Sequence, residues 1–323
     1  MIDDSNEPAS SDAAAWAAIL LLATAVALLE GISRIPVALA GLTSLVLACG
    51  ALGFAHYFYR FVRPRAQFAV MTLTLVQVLL FSALGLALSY LVVRHDAPLW
   101  DEQLRAADLA LGFDWLRWAH GVDGHPTLVA IMRIAYASLI PQIIVLLCAL
   151  GFAKRLYDLR AVMLAAILCG SLCIFASSLV PALGYPALLH VTGADFQHLN
   201  PWAGLVHLHA YEALRQGTLR KLDFATMQGI ITFPSYHAGL SSVTLWGFSK
   251  VRQPVVRYSG LVLAPLTIVS TPFLGGHYLV DVLAGIGTAL VAIAFARSAV
   301  RWQPGLSALR ASPFRRSRAV LAR

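Results

Sequence analysis

Long apolar runs dominate the chain, and polar residues gather in a few breaks between them. A bilayer core about 30 Å thick takes roughly 20 apolar residues per helix. By that measure eight spans are expected, at about 14–30, 36–58, 67–93, 126–151, 159–184, 231–250, 255–275 and 278–299. The expected fold class is therefore all-α, a polytopic membrane helical bundle. The first run has the position of a signal peptide, but its leader, MIDDSNEPASSDAA, is acidic and lacks the basic start of such peptides, so it is read as a span.

Two longer stretches interrupt the spans. In 94–125, Leu99, Leu104, Leu111, Trp115 and Trp118 recur at near-helical spacing, with Asp101, Glu102, Arg105 and Asp108 between them. Tryptophans on such a face suit a membrane interface, which predicts a helix lying over the bundle, as scaffold or as lid. The second stretch, 185–230, is the most polar part of the chain, and Pro181 marks the helix end before it. The expected organisation is an acidic cytoplasmic tail (1–13), accessory spans (14–93), a main membrane domain (94–299) and a basic cytoplasmic tail (300–323).

Composition agrees: 59% of the 323 residues are hydrophobic and 12% charged, where a soluble domain has about a quarter charged. The net charge of +8 would suggest nucleic acid in a soluble protein, but its distribution argues otherwise. Sixteen of the 24 basic residues fall on one side of the eight-span arrangement, among them Arg60, Arg63, Lys154, Arg155, Lys250, Arg252 and the C-terminal arginines. Basic residues stay cytoplasmic, which places both termini inside. The basic tail suits anionic lipid headgroups, and no nucleic-acid partner is expected. Cys49, Cys148, Cys169 and Cys173 all lie in spans without metal-site spacing and are expected to pack as small hydrophobes.

Two polar motifs stand against this apolar background. In GGHYLVD, Gly275 to Asp281, His277 and Asp281 are four apart at the start of a span. On a helix that spacing shares a face, so Asp281 would hold one imidazole nitrogen and leave the other free as nucleophile or base. A lone carboxylate in a membrane segment is costly and marks function more often than packing. In ITFPSYHAGLSS, 231–242, Pro234 suits a first helical turn and is followed by Ser235 and His237. Both histidines would then lie at the outer ends of inward-running helices. Helix starts favour phosphate through free N–H groups and partial positive charge; Ser235 adds a hydroxyl, and glycines such as Gly276 allow close approach.

FPSYHAG and GGHYLVDVLAG resemble the second and third signature motifs of the type 2 phosphatidic acid phosphatase superfamily, most closely the branch containing inositol phosphorylceramide synthases and bacterial relatives. The resemblance covers roughly 95–295. It implies His277 as nucleophile on phosphorus, Asp281 as its orienting partner and His237 as acid for the leaving oxygen. The charge distribution puts both motifs at the periplasmic face of the cytoplasmic membrane, and with cations and helix ends to hold the phosphate no metal or other cofactor is expected.

Two departures stand out. Ser270-Thr271 occupies the place of a Ser-Arg pair before the third motif, and the first motif is missing, since His56 to Arg63-Pro64 lies on the cytoplasmic side. The cations that must neutralise the phosphate are then sought among Arg215, Arg220 and Lys221, in a segment, LRQGTLRKLD, similar to one preceding the second motif in bacterial relatives. The expected partners are a phospholipid or other lipid phosphate and the bilayer, with water, a lipid alcohol or a polyol as acceptor. The missing arginine favours transfer over hydrolysis.

Other polar residues carry less. His207 and His209 alternate like metal ligands on a strand but have no carboxylate cluster. Arg133 in span four would pair or reach outward, and Tyr136 and Gln142 would line a pocket or bond between helices. A transporter or lipid-binding scaffold would need midplane ionisable residues and broken helices in paired halves, and only Arg133 approaches that.

Overall fold

A computed structural model of the chain describes residues 10–33, 35–93 and 97–301. The acidic leader before residue 10, Arg34, Arg94 and the basic tail after residue 301 lie outside them. The described residues form thirteen α-helices and no strands: α1 (Ser10–Ser33), α2 (Leu39–Tyr57), α3 (Ala66–Val93), α4 (Asp101–Ala110), α5 (Trp115–Asp123), α6 (Pro126–Ala137), α7 (Leu139–Phe152), α8 (Leu156–Leu179), α9 (Tyr185–Leu188), α10 (Leu208–Arg215), α11 (Tyr236–Phe248), α12 (Pro254–Leu274) and α13 (Leu279–Arg301).

Among the described residues six helices are long and apolar enough to cross a membrane: Ser11–Ser33, Gly41–Val62, Ala66–Val93, Leu156–Leu179, Pro254–Leu274 and Leu279–Ala299. The expected span 126–151 is instead the pair α6–α7, bent by 52°. Pro141 explains the break. Its ring clashes with the carbonyl four residues back, at Ala137, where α6 ends. The freed polar groups find partners: the Ala135 carbonyl accepts from the Ser138 hydroxyl at 2.7 Å and the Thr267 hydroxyl at 2.8 Å. Gln142 donates to Thr267 Oγ1 at 3.1 Å, so it serves as an interhelical bond to α12. Side-chain hydroxyls commonly compensate broken membrane helices in this way.

The expected span 231–250 also differs. Only its 13-residue core, α11, is helical, about 20 Å at 1.5 Å per residue and short of the bilayer core. It is an inner helix, packed against α7, α8, α12 and α13, and its non-helical lead-in is tolerated because Ile230, Thr232 and Ser235 are buried by protein. Close approach of α11 to α13 depends on Gly285, where a Cβ would stand 2.2 Å from the Ser235 carbonyl oxygen. Small residues serve this purpose in membrane helix pairs. The helices α1 and α2 pack on α3 to one side, and no residue of 41–62 is buried.

The two ends of the bundle differ in character. At one end Arg160 pairs with Asp12 at 3.2 Å, Arg155 pairs with Asp158 at 2.7 Å, and Arg155 also donates to the Lys250 carbonyl. At the other, Leu222 in the loop after α10 bridges to Val37 between α1 and α2, with Leu222 N–H donating to Pro36 O at 2.9 Å. The segment 97–125 also lies at this second end.

Candidate active site

That segment reaches the loop before α13 through buried carboxylates. Asp101 Oδ1 accepts from the backbone N–H of Leu183 and Gly184 and from the Tyr278 hydroxyl, each at 2.9 Å. Asp108, fully buried, accepts from Leu279 N–H at 2.8 Å, Val280 N–H at 2.9 Å and the Tyr185 hydroxyl at 3.0 Å. Burial holds the Asp108 carboxyl above the usual aspartate range, although these three donors act in the opposite direction. The first turn of α13, with N–H groups that no helical carbonyl can satisfy, is thus capped by a side chain 171 residues earlier. Trp115 belongs to the same core: it is 1% exposed, stacks on Tyr185 at 5.4 Å and donates to Pro272 O at 2.8 Å. The interfacial role expected for it is corrected to a buried one, while Trp118 remains exposed.

The His–Asp pair forms differently from the helical expectation. His277 precedes α13 and is not on it. Asp281, in the first turn, turns back toward the loop: its Oδ2 accepts from Tyr278 N–H at 3.0 Å and lies 3.3 Å from His277 Nδ1. This is the reach of a capping-box carboxylate toward the helix entry. Asp281 has no solvent exposure and His277 6%. Gly276 enters this loop at φ +68°, in the left-handed region that only glycine adopts readily, and a Cβ there would meet Pro186 at 2.6 Å.

The other imidazole nitrogen, Nε2, lies 3.4 Å from Ser235 Oγ. Ser235 is the N-cap of α11, its hydroxyl accepting from Ala238 N–H at 3.4 Å, so Pro234 lies just outside the helix. Ser235 N–H donates to the backbone carbonyl of Asp281 at 3.0 Å, which ties the starts of α11 and α13 together. His237, two residues into the same turn, stacks face to face on Tyr136, with centroids 4.8 Å apart and planes 10° apart. Tyr136 Oη and His277 Cδ2 both lie within 3.0 Å of one point beside Gly275, and His237 is within electrostatic reach of His277. Tyr136 therefore bridges α6 to both motifs.

The cations sit less centrally. The Arg215 guanidinium donates to Ala97 O at 3.0 Å, Lys221 pairs with Asp223 at 3.6 Å while 64% exposed, and Arg220 is exposed. Arg133 points outward and donates to His198 O at 3.0 Å. Among the described residues no group of three or more His, Cys, Asp or Glu side chains is placed to hold a metal ion.

A membrane bundle that gathers two helix starts, a His–Asp pair and a second histidine at one end has the make-up of a phosphatase-type enzyme. The PAP2 superfamily model matches residues 102–295, more than half of the chain, and the protein belongs to that superfamily. No curated protein and no solved structure matches it significantly. The matched region begins at the second residue of α4, so it contains the Asp108 clamp, and Asp101 immediately precedes it.

Proposed function

We propose that the protein is a lipid phosphotransferase or phosphatase working through a phosphohistidine on His277. The observation that carries this reading is the His277 ring itself, held between Asp281 at Nδ1 (3.3 Å) and Ser235 at Nε2 (3.4 Å). With Nδ1–H donated to Asp281, the Nε2 lone pair is the nucleophile. It attacks phosphorus as the bond to the leaving oxygen breaks, and His237 gives that oxygen its proton. His237 then takes a proton from water or an acceptor alcohol, whose oxygen displaces Nε2 and restores the imidazole. A phosphoryl oxygen engages the Ser235 hydroxyl and the N–H groups at the start of α11, and Gly276 lets the loop backbone approach it. Charge developing on the non-bridging oxygens is met by these donors. Arg215, Arg220 and Lys221 supply the positive field around the entrance, and neither metal nor cofactor takes part.

The excess of basic residues at the opposite end of the bundle supports a cytoplasmic placement of both termini and a periplasmic active site in the cytoplasmic membrane. The resemblance of FPSYHAG and GGHYLVDVLAG to the synthase-like branch, with Thr271 where the phosphatases carry arginine, favours transfer to a lipid or polyol hydroxyl over hydrolysis. Purified protein given a phosphorus-labelled phospholipid and candidate acceptors separates the two: label in a new phosphate ester of the acceptor supports transfer, and label released only to water, as free phosphate or a phosphorylated headgroup, contradicts it.

A further inference from the structure

His207 lies at the entry to α10, outside both motifs, and is 5% exposed. Neither ring nitrogen has a hydrogen-bond partner; the Ala203 carbonyl faces the ring without reaching bonding geometry. Buried imidazoles without partners are rare, because each carries a donor and an acceptor whose hydration has been lost. Its position gives a reason for the exception. Three residues earlier, Gly204 is pressed on the catalytic loop, where a Cβ would stand 2.9 Å from the Gly275 carbonyl oxygen and 3.1 Å from Gly276 Cα. The ring is also within electrostatic reach of His277.

We propose that His207 is a third histidine of the active site, donating a ring N–H to a non-bridging oxygen of the phosphate held at His277. This rests on the phosphotransfer reading and deepens it. It supplies from the loop 189–207 a donor beside the loop 275–277, where Gly204 is packed. Burial lowers the imidazole to about 4, opposed by the Ala203 carbonyl and assisted by the neighbouring His277, so His207 is neutral at neutral pH. A neutral imidazole still offers one N–H and needs no counter-charge before substrate arrives.

The test uses the full-length protein in detergent and orthovanadate as the phosphate-like probe. The thermal shift produced by increasing vanadate gives its affinity. His207→Leu fills the same space without a donor. It should melt at or above the wild-type temperature without ligand, yet bind vanadate about tenfold to a hundredfold more weakly. His207→Asn, which keeps an N–H, should recover part of that loss and serves as the fallback if the leucine variant does not fold. A purely structural His207 would give the opposite pattern, a lower melting temperature with wild-type vanadate affinity, and that result overturns the proposal. His277→Ala separates this failure from that of the underlying reading. If it binds vanadate and turns over substrate like wild type, or if wild type shows no vanadate shift, the phosphate site itself is refuted. If it loses both while His207→Leu binds normally, only the role of His207 falls.

Discussion

Replacing Asp108 with alanine tests whether the segment before α6 holds the catalytic loop in place. The carboxylate has no solvent exposure and accepts from Leu279 and Val280 N–H and from the Tyr185 hydroxyl, at 2.8–3.0 Å. Alanine leaves two part-buried amides and one buried hydroxyl without an acceptor, at about 1–2 kcal/mol each. The cost of burying the ionised carboxyl, visible in its raised pKa, offsets part of this, so the net loss should be about 3 kcal/mol. Asp108→Asn keeps one acceptor oxygen but turns an amide NH₂ toward a backbone N–H, and should lose about 1–2 kcal/mol. His277 lies two residues before Leu279 and Asp281 one after Val280, so a frayed first turn displaces both halves of the pair. If only about 1.4 kcal/mol of that displacement reaches the transition state, kcat falls about tenfold. KM should change little, because Asp108 does not touch substrate. The assay pairs thermal unfolding, followed by tryptophan fluorescence of the purified protein, with turnover of a short-chain lipid phosphate. An alanine variant that melts and turns over like wild type would refute the clamp, and a KM effect without a kcat effect would reassign Asp108 to the substrate pocket.

Gly285→Ala places a methyl 2.2 Å from the Ser235 carbonyl oxygen and should separate α11 from α13, costing about 1–3 kcal/mol and most activity; Gly287→Ala, with no atom within 4 Å of its Cβ, is the neutral control in the same melting and turnover assays. Asp123 gives a pH prediction. Burial acts to raise its pKa, but backbone N–H donors from Gln197, Leu199 and His198 prevail and hold it below the aspartate value of 3.8. Its contribution to stability is therefore fully present above pH 3.8 and lost as pH falls through the lower, folded value. Asp123→Asn should flatten the acid limb of melting temperature against pH, and an unchanged limb would show that the carboxylate does not hold the loop 197–199.

Much of the bundle was legible from apolar runs alone, because a span is a local property of composition and length. The two expected spans that came out differently fail for local reasons with different visibility. Pro141 announces the α6–α7 break to a reader who weighs it against the apolar run. The shortness of α11 is marked only by Pro234 near its start; Ile230 to Phe233 are largely apolar, and burial by neighbours permits their non-helical backbone. The His277–Asp281 spacing pointed to the right contact through the wrong geometry: a first-turn carboxylate reaching back to the loop gives nearly the same proximity as one helical turn. The clamps were hidden for another reason. Asp101 and Asp108 were visible as polar residues on an interfacial pattern, but their partners are 77 to 177 residues away, and no local periodicity reports a contact of that range. Tyr136 and His207 read as ordinary lining or alternating polar residues for the same reason.

The most direct measurement is capture of the covalent intermediate. Protein mixed briefly with a phosphorus-labelled lipid phosphate, quenched in alkali and digested, should carry the label on the peptide containing His277, with none retained in His277→Ala. Label on another residue, or label that survives that substitution, would contradict the account.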